Sequence, residues 1–216
     1  MACPICQKRK AKRFCPAKGE NICSVCCGTE REVTIDCPSD CPHLIASREY
    51  DWHRRRQGDS PDWSQSPFPE ARLDRDFVAD HAELTFALSY AISLFARAHR
   101  SLVDSDVIAV LKSLAETYRT LSSGIYYEKL PEYRLQAELY QALQTALVEF
   151  KKKQAQAMMS SVRDSDVRDV LMSMAQLGYV RQNGRPKSRA FLDMLRGQFR
   201  SPELEKPAAS NVLILP

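Results

Sequence analysis

All eight cysteines of this 216-residue chain fall within its first 41 positions, in the order Cys3-x2-Cys6-x8-Cys15-x7-Cys23-x2-Cys26-Cys27-x9-Cys37-x3-Cys41, with His43 just beyond. A segment this short buries too little apolar surface to offset the conformational entropy it loses on folding. Its order has to come from a cross-link, either metal or disulfide. The chain opens Met1-Ala2-Cys3-Pro4 without an apolar signal core, and no run of about 18 apolar residues follows, so neither secretion nor a membrane span is expected. A reducing, cytoplasmic setting favours metal over disulfides. The flanks of Cys3 and Cys6 also lack the strand-helix pattern that a redox Cys-x-x-Cys motif needs.

A structural zinc ion takes four thiolate or imidazole ligands in a tetrahedron, and a Cys-x2-Cys knuckle supplies two of them from one tight turn. Cys3/Cys6 and Cys23/Cys26 are such knuckles and together complete one site; Cys15, Cys27, Cys37 and Cys41 complete a second. Adjacent side chains on an extended backbone point to opposite faces, so Cys26 and Cys27 are expected on different ions. The interleaved order makes a cross-brace holding two Zn2+ ions, in which the loss of one site unfolds both. His43 could replace Cys41, although a surface histidine beside a finished site is the simpler reading. With both shells closed, no position is left for water or substrate, and no catalysis is expected there.

The stretch from Arg13-Phe14-Cys15-Pro16 through Ile22-Cys23-Ser24-Val25-Cys26-Cys27 resembles B-box-type zinc fingers and is also similar to HIT-type fingers, both small cross-brace modules. The resemblance covers residues 3 to 43. It implies Cys3, Cys6, Cys23 and Cys26 on the first zinc and Cys15, Cys37 and Cys41 on the second. Where the second ion's further ligand often sits, this chain carries Lys18, and Cys27 fills the gap. B-boxes mediate protein association and often precede helical dimerising segments, which the resemblance extends to this chain as an expectation.

The formal net charge of +4 invites a nucleic-acid reading. Eight thiolates and two zinc ions would bring the protein close to neutral, which leaves only local clusters. Lys8, Arg9, Lys10, Lys12 and Arg13 crowd one loop, and Arg54 to Arg56 follow the finger. No aromatic residue interrupts Lys8 to Arg13, so no base-stacking platform is evident there.

The domain organisation expected is a two-zinc finger over 1–47, an irregular linker over 48–69 that carries Trp52, Trp63 and Phe68, a helical bundle over 70–200 and a tail over 201–216. The fold class is mostly α. Phe77, His81, Leu84, Leu88, Ala91, Phe95, Ala98 and Leu102 recur at steps of four and three, which predicts one helix over 70–102. His81 is expected at the edge of the core and His99 in solvent. Asp104-Ser105-Asp106 offers N-cap acceptors to a second helix that ends at Ser122-Ser123-Gly124. A third pattern runs from Leu135 to Val162 through Met158. Asp164-Ser165-Asp166 caps a fourth helix, with Gly178 placed to end it in a left-handed conformation.

Asp104-Ser105-Asp106-Val107 recurs sixty positions later as Asp164-Ser165-Asp166-Val167, and Val110, Leu111, Ser113 and Ala115 recur as Val170, Leu171, Ser173 and Ala175. An internal duplication of a long-helix/short-helix unit follows, expected as two antiparallel hairpins forming a bundle, with a short C-terminal helix after them. Arg181, Arg185, Lys187 and Arg189 surround the Asn183-Gly184 turn before that helix. The apolar end Val212-Leu213-Ile214-Leu215 either folds back or is offered to another chain.

Two functional readings follow. The favoured one is a non-enzymatic zinc-binding protein that acts as an interaction or scaffolding module, with a protein partner or itself. The alternative is a nucleic-acid-associated regulator using the basic loops of the finger and the C-terminal arginines. Glu116, Tyr126, Tyr127, Glu128 and Glu132 form no arrangement of nucleophile, base and orienting acid, so an enzyme is not expected.

Overall fold

The computed structural model of the protein describes residues 1–57, 67–68, 71–158 and 160–199, excepting the side chains of residues 52 and 55–57. Among them lie one two-stranded sheet and eight helices. Trp63 and the Val212-Leu213-Ile214-Leu215 end lie outside the described residues.

The front of the chain is compact around sulfur. Strands β1 (Arg13–Cys15) and β2 (Glu20–Ile22) pair antiparallel, Arg13 opposite Ile22 and Cys15 opposite Glu20. Gly19 turns the hairpin at φ +68°, a conformation that costs a residue without Cβ little. Helix α1 (Ser24–Glu30) follows at once, with Cys23 as its N-cap. Helix α2 (Pro42–Gln57) starts directly after Cys41. The irregular linker expected from residue 48 is therefore corrected: residues 48–57 continue α2, because nothing between Cys41 and Gln57 breaks a helix once Pro42 has taken its first position. Phe68, also assigned to the linker, is buried in the bundle core with its ring edge-on to Tyr179 at 6.1 Å.

The first long helix is broken in two. Helices α3 (Arg75–Asp80) and α4 (Ala82–Ala98) meet at His81, whose φ and ψ of −112° and 19° leave the helical region. The His81 ring accounts for this locally, since its Nδ1 lies 2.9 Å from the Phe77 carbonyl and its plane lies 4.3 Å from the Phe77 ring. Helices α5 (Asp104–Ser122), α6 (Arg134–Gln156), α7 (Asp164–Arg181) and α8 (Ala190–Gln198) complete the bundle. Helix α6 stops short of Met158 and Val162. Met158 has a φ of +53° and is exposed, and the Val162 amide is held instead by the Gln154 side chain at 3.0 Å.

The expected hairpins are not how these helices pair. Helix α5 packs most extensively on α7, and α4 packs on α6, whereas α4 and α5, neighbours in sequence, approach each other little. Ile108 near the start of α5 meets Gly178 near the end of α7, and Tyr118 at the far end of α5 lies beside Lys151 and its ion-pair partner Asp164. Those contacts make α5 and α7 antiparallel. Val107, Val110, Leu111, Leu114 and Ala115 are buried against Val167, Val170, Leu171, Met174 and Ala175, each large side chain contributing roughly 1.5–3 kcal/mol as an upper estimate. The two segments that share the Asp-Ser-Asp-Val pattern thus form the middle of the core.

Residues 123–133 return along α5 as extended chain before α6 begins. Thr120 Oγ1 bonds the Tyr127 carbonyl at 3.3 Å, Ser113 Oγ bonds the Lys129 carbonyl, and Gln136 reaches Asp106 at 2.8 Å. The backtrack places α6 alongside α5 in the same direction, with Tyr140 Oη 2.8 Å from Thr117 Oγ1 in the buried seam.

Two expectations about helix ends are corrected. The N-cap positions of α5 and α7 are Val103 and Arg163, one residue before the Asp-Ser-Asp repeats. Asp106 does bond back to the Val103 amide at 3.2 Å, but Asp104 turns inward and caps a different helix: its carboxylate accepts from the amides of Phe191 and Leu192 at the start of α8, at 3.2 and 3.0 Å, and from Ser188 Oγ at 2.8 Å. Gly178 does not end α7, which runs on to Arg181. A Cβ there would sit 3.0 Å from Ile108 Cγ1 and 3.0 Å from Phe191 Cδ1, so its role is close packing of three helices.

Candidate metal centre

Cys3, Cys6, Cys23 and Cys26 bring their four sulfurs within 4.8 Å of one another. A tetrahedral zinc ion with bonds of about 2.3 Å would set sulfurs about 3.8 Å apart. Cys6 Sγ and Cys23 Sγ stand at 3.9 Å, close to that value and far beyond the roughly 2.05 Å of a disulfide. All eight thiols are free. The quartet is the one that the interleaved spacing predicts, and its donor set suits a soft or borderline ion.

The local backbone explains why these side chains converge. Cys23 and Cys26 sit at the opening of α1, where the Cys26 amide donates to Cys23 Sγ at 3.3 Å and the Cys23 amide donates to Cys3 Sγ at 3.2 Å. The first knuckle is turned by Gln7 at φ +53°, with its amide bonded to the Cys3 carbonyl at 2.7 Å. Amides aimed at sulfur favour thiolate over thiol. The amides of Lys8 and Arg9 lower the Cys6 pKa to about 6, against its partial burial. Burial works against the Cys3 thiolate, but the amides of Cys23, Cys6 and Ile5 outweigh it and its pKa is lowered. Cys26 is opposite: burial, and then the neighbouring sulfurs of Cys23, Cys6 and Cys3, push it up to about 12. Four thiolates this close repel one another strongly, and a divalent cation is what would let the last proton leave.

The other four sequence-predicted ligands are placed differently. Among the described residues, Cys15, Cys27, Cys37 and Cys41 do not come together as a second group with sulfurs inside that distance. Cys15 and Cys41 are buried, and Cys37 is half-buried. Burial raises the Cys37 pKa, the Glu32 amide counteracts it, and the charges of Cys41, Glu32 and Cys15 raise it further, so these three cysteines share one neighbourhood. Cys27 is half-buried against the same cluster and accepts from Arg31 Nη2 at 3.8 Å. The divergence of Cys26 and Cys27 holds for a reason other than an extended backbone: both lie on α1, where successive side chains differ by about 100°. His43 lies in the first turn of α2 and is half-buried.

A second feature had no sequence signal. Glu32, almost fully buried and held at φ +52°, joins the finger to the bundle. Its carboxylate accepts from Arg48 Nη2 at 2.7 Å and from Asn183 Nδ2 at 2.6 Å, and its carbonyl accepts from the Lys187 amide at 2.8 Å. Arg48 continues to Asp193 on α8 at 2.6 Å, where Ser39 Oγ also donates at 2.7 Å. Burial opposes the Arg48 charge, but Asp193 and Glu32 outweigh it and raise its pKa.

The basic residues around the Asn183-Gly184 turn belong to this joint. Arg185 Nη1 donates to the carbonyls of Gly28, at 2.9 Å, and Arg31. Lys187 Nζ reaches the Thr34 carbonyl at 3.0 Å, and Arg189 pairs with Asp36 while donating to the carbonyls of Leu102 and Arg100 at 3.1 and 2.8 Å. Lys8, Arg9, Lys10 and Lys12, by contrast, are exposed on the finger loop, as is Arg54 on α2. No described helix is long and apolar enough to cross a membrane. Compared with known proteins, the chain matches no family model, no curated protein and no solved structure, so its grouping rests on the Cys3, Cys6, Cys23 and Cys26 quartet, which is compatible with a zinc-finger-like site.

Proposed function

We propose that this is a non-enzymatic zinc-binding protein of the reducing cytoplasm, a cross-brace finger of B-box-like or HIT-like type fixed to a helical bundle that serves as a protein-interaction module. The observation that carries the reading is the sulfur quartet at the spacing tetrahedral zinc requires, with amides already turned toward it. A second zinc at Cys15, Cys37 and Cys41, with Cys27 completing the shell, is part of the proposal. It is supported by the shared electrostatic neighbourhood of the first three and by the packing of Cys27 against the cluster that holds Cys15. The finger's rigid seat on the bundle through Glu32 makes it part of a single binding surface with a protein partner or a second chain.

Native mass spectrometry of the purified full chain tests this. Two zinc ions per chain are expected; one would remove the second site, and none would remove the reading. The alternative, a nucleic-acid-associated regulator, is left among the described side chains with Lys8, Arg9, Lys10 and Lys12 of the finger loop and Arg54 of α2, because Arg185, Lys187 and Arg189 are engaged with the finger. It requires binding to generic strands that weakens steeply with salt, which fluorescence anisotropy measures.

A further inference from the structure

We propose that the outer face of α4 is a self-association surface, paired with the same face of a second copy across a twofold axis near Tyr90. The proposal rests on the interaction-module reading and names its surface and its partner.

Helix α4 is apolar on both sides. Its inner face buries Leu84, Leu88, Ile92 and Ala96, which is enough to anchor it. Its outer face carries Phe86, Tyr90 and Leu94, which remain 59%, 41% and 52% exposed. Four-residue steps put these three in one row along the helix, the ridge that packs between ridges of a facing helix. Phe199, itself buried, packs edge-on against one side of the row, its ring 4.9 Å from Phe86 and 5.4 Å from Tyr90, and leaves the rest of the row exposed. Apart from seating Phe199, the row leaves large apolar side chains in water, the kind of patch a partner covers.

The charges flanking the row select the partner. Glu83 and Arg97 stand seven residues to either side of Tyr90, two helical turns in each direction and therefore on the same face. An antiparallel pairing of two α4 helices about Tyr90 sets Glu83 of each copy opposite Arg97 of the other and Phe86 opposite Leu94. Only a surface that is its own complement has this pattern, and isologous twofold dimers use such surfaces. Arg97 donates Nη2 to the Phe199 carbonyl at 2.9 Å, which keeps its guanidinium beside the row. The acid-to-base order also suits the helix dipole, so the charges set the register and the apolar row drives association.

Sedimentation equilibrium of the full metal-loaded chain across the micromolar range is the test. The wild type is expected to dimerise, and Tyr90→Glu to raise the dissociation constant by about thirtyfold or more. Leu94→Gln, the milder variant, should weaken it in the same direction with helicity and metal content unchanged. Glu83→Arg or Arg97→Glu alone should weaken the dimer, and the two together should restore it. A strictly monomeric wild type overturns the proposal while leaving a heterologous partner open; if removal of residues 200–216 then allows dimers, the row belongs to the chain's own end. A dimer indifferent to Tyr90→Glu and Leu94→Gln overturns the surface but keeps self-association. Failure of the double charge reversal to restore the dimer overturns the twofold register.

Discussion

The finger and the bundle are ordered by different physics. In the bundle, 26 buried apolar side chains among the described residues form one continuous cluster, and removing any one of them costs a few kcal/mol and no more. In the finger the buried cluster holds six residues, four of them cysteine, so that its apolar part is little more than Ile22 and Ile35. What one region spreads over many weak contacts, the other concentrates at a few sulfurs. Stability in the first degrades by increments, whereas in the second, on the proposed reading, it would depend on bound metal.

Metal removal should separate the two most sharply. A strong chelator, or Cys3→Ser, is expected to abolish finger structure while far-UV circular dichroism retains most of the signal of α3 to α8; a parallel loss of bundle helicity would show that the regions are not so different. The joint between them comes next. Glu32→Ala leaves the half-buried Arg48 without one of its two carboxylate partners and should cost about 3 kcal/mol in urea denaturation, at the low end for a buried pair because Arg48 keeps Asp193. Metal content should stay constant in that variant, but hydrogen exchange over residues 185–189 should accelerate.

A smaller effect tests the bundle alone. Gly178→Val forces a side chain against Ile108 and Phe191 and should destabilise by about 1–3 kcal/mol without altering metal stoichiometry. The smallest is acid sensitivity. Burial would raise the Asp166 pKa, but Arg163 and then His81 outweigh it and hold it below its usual value. A carboxylate lowered in the folded state adds stability that is present above its unfolded pKa and lost as pH falls through the folded one. Asp166→Asn should therefore flatten the fall in stability below about pH 4, by no more than about 1 kcal/mol because Arg163 is exposed.

The two regions also differed in how legible they were. Interleaved Cys-x2-Cys spacing identified Cys3, Cys6, Cys23 and Cys26 because tetrahedral coordination allows few partitions of eight ligands. Helical periodicity located the core of α5 and α7, since burial on one face leaves a repeat in the chain. It did not reveal how the helices pair, because an apolar stripe does not say which other stripe covers it. Nor did it reveal the outer row on α4: Phe86, Tyr90 and Leu94 share the period of the inner seam and differ only in phase. Gly178 was read as a terminator because a glycine near a helix end suits either role, and only the proximity of Ile108 and Phe191 decides. Glu32 carried no signal at all. Its task depends on Asn183 and Lys187, about 150 positions away.

That last separation bears on how the protein is made. The finger is made before the bundle, and on the proposed reading its knuckles could close on metal once Cys26 is clear. Yet the Glu32 carboxylate, Asp104 and the finger carbonyls of Gly28 and Arg31 receive their partners only when residues 183–192 have been made. Until then a nascent chain holds a finished head beside an unfinished body, and a premature stop before Asn183 would leave both with their polar joints open. Residues 183–192 thus hold in place a segment that lies about 150 positions before them.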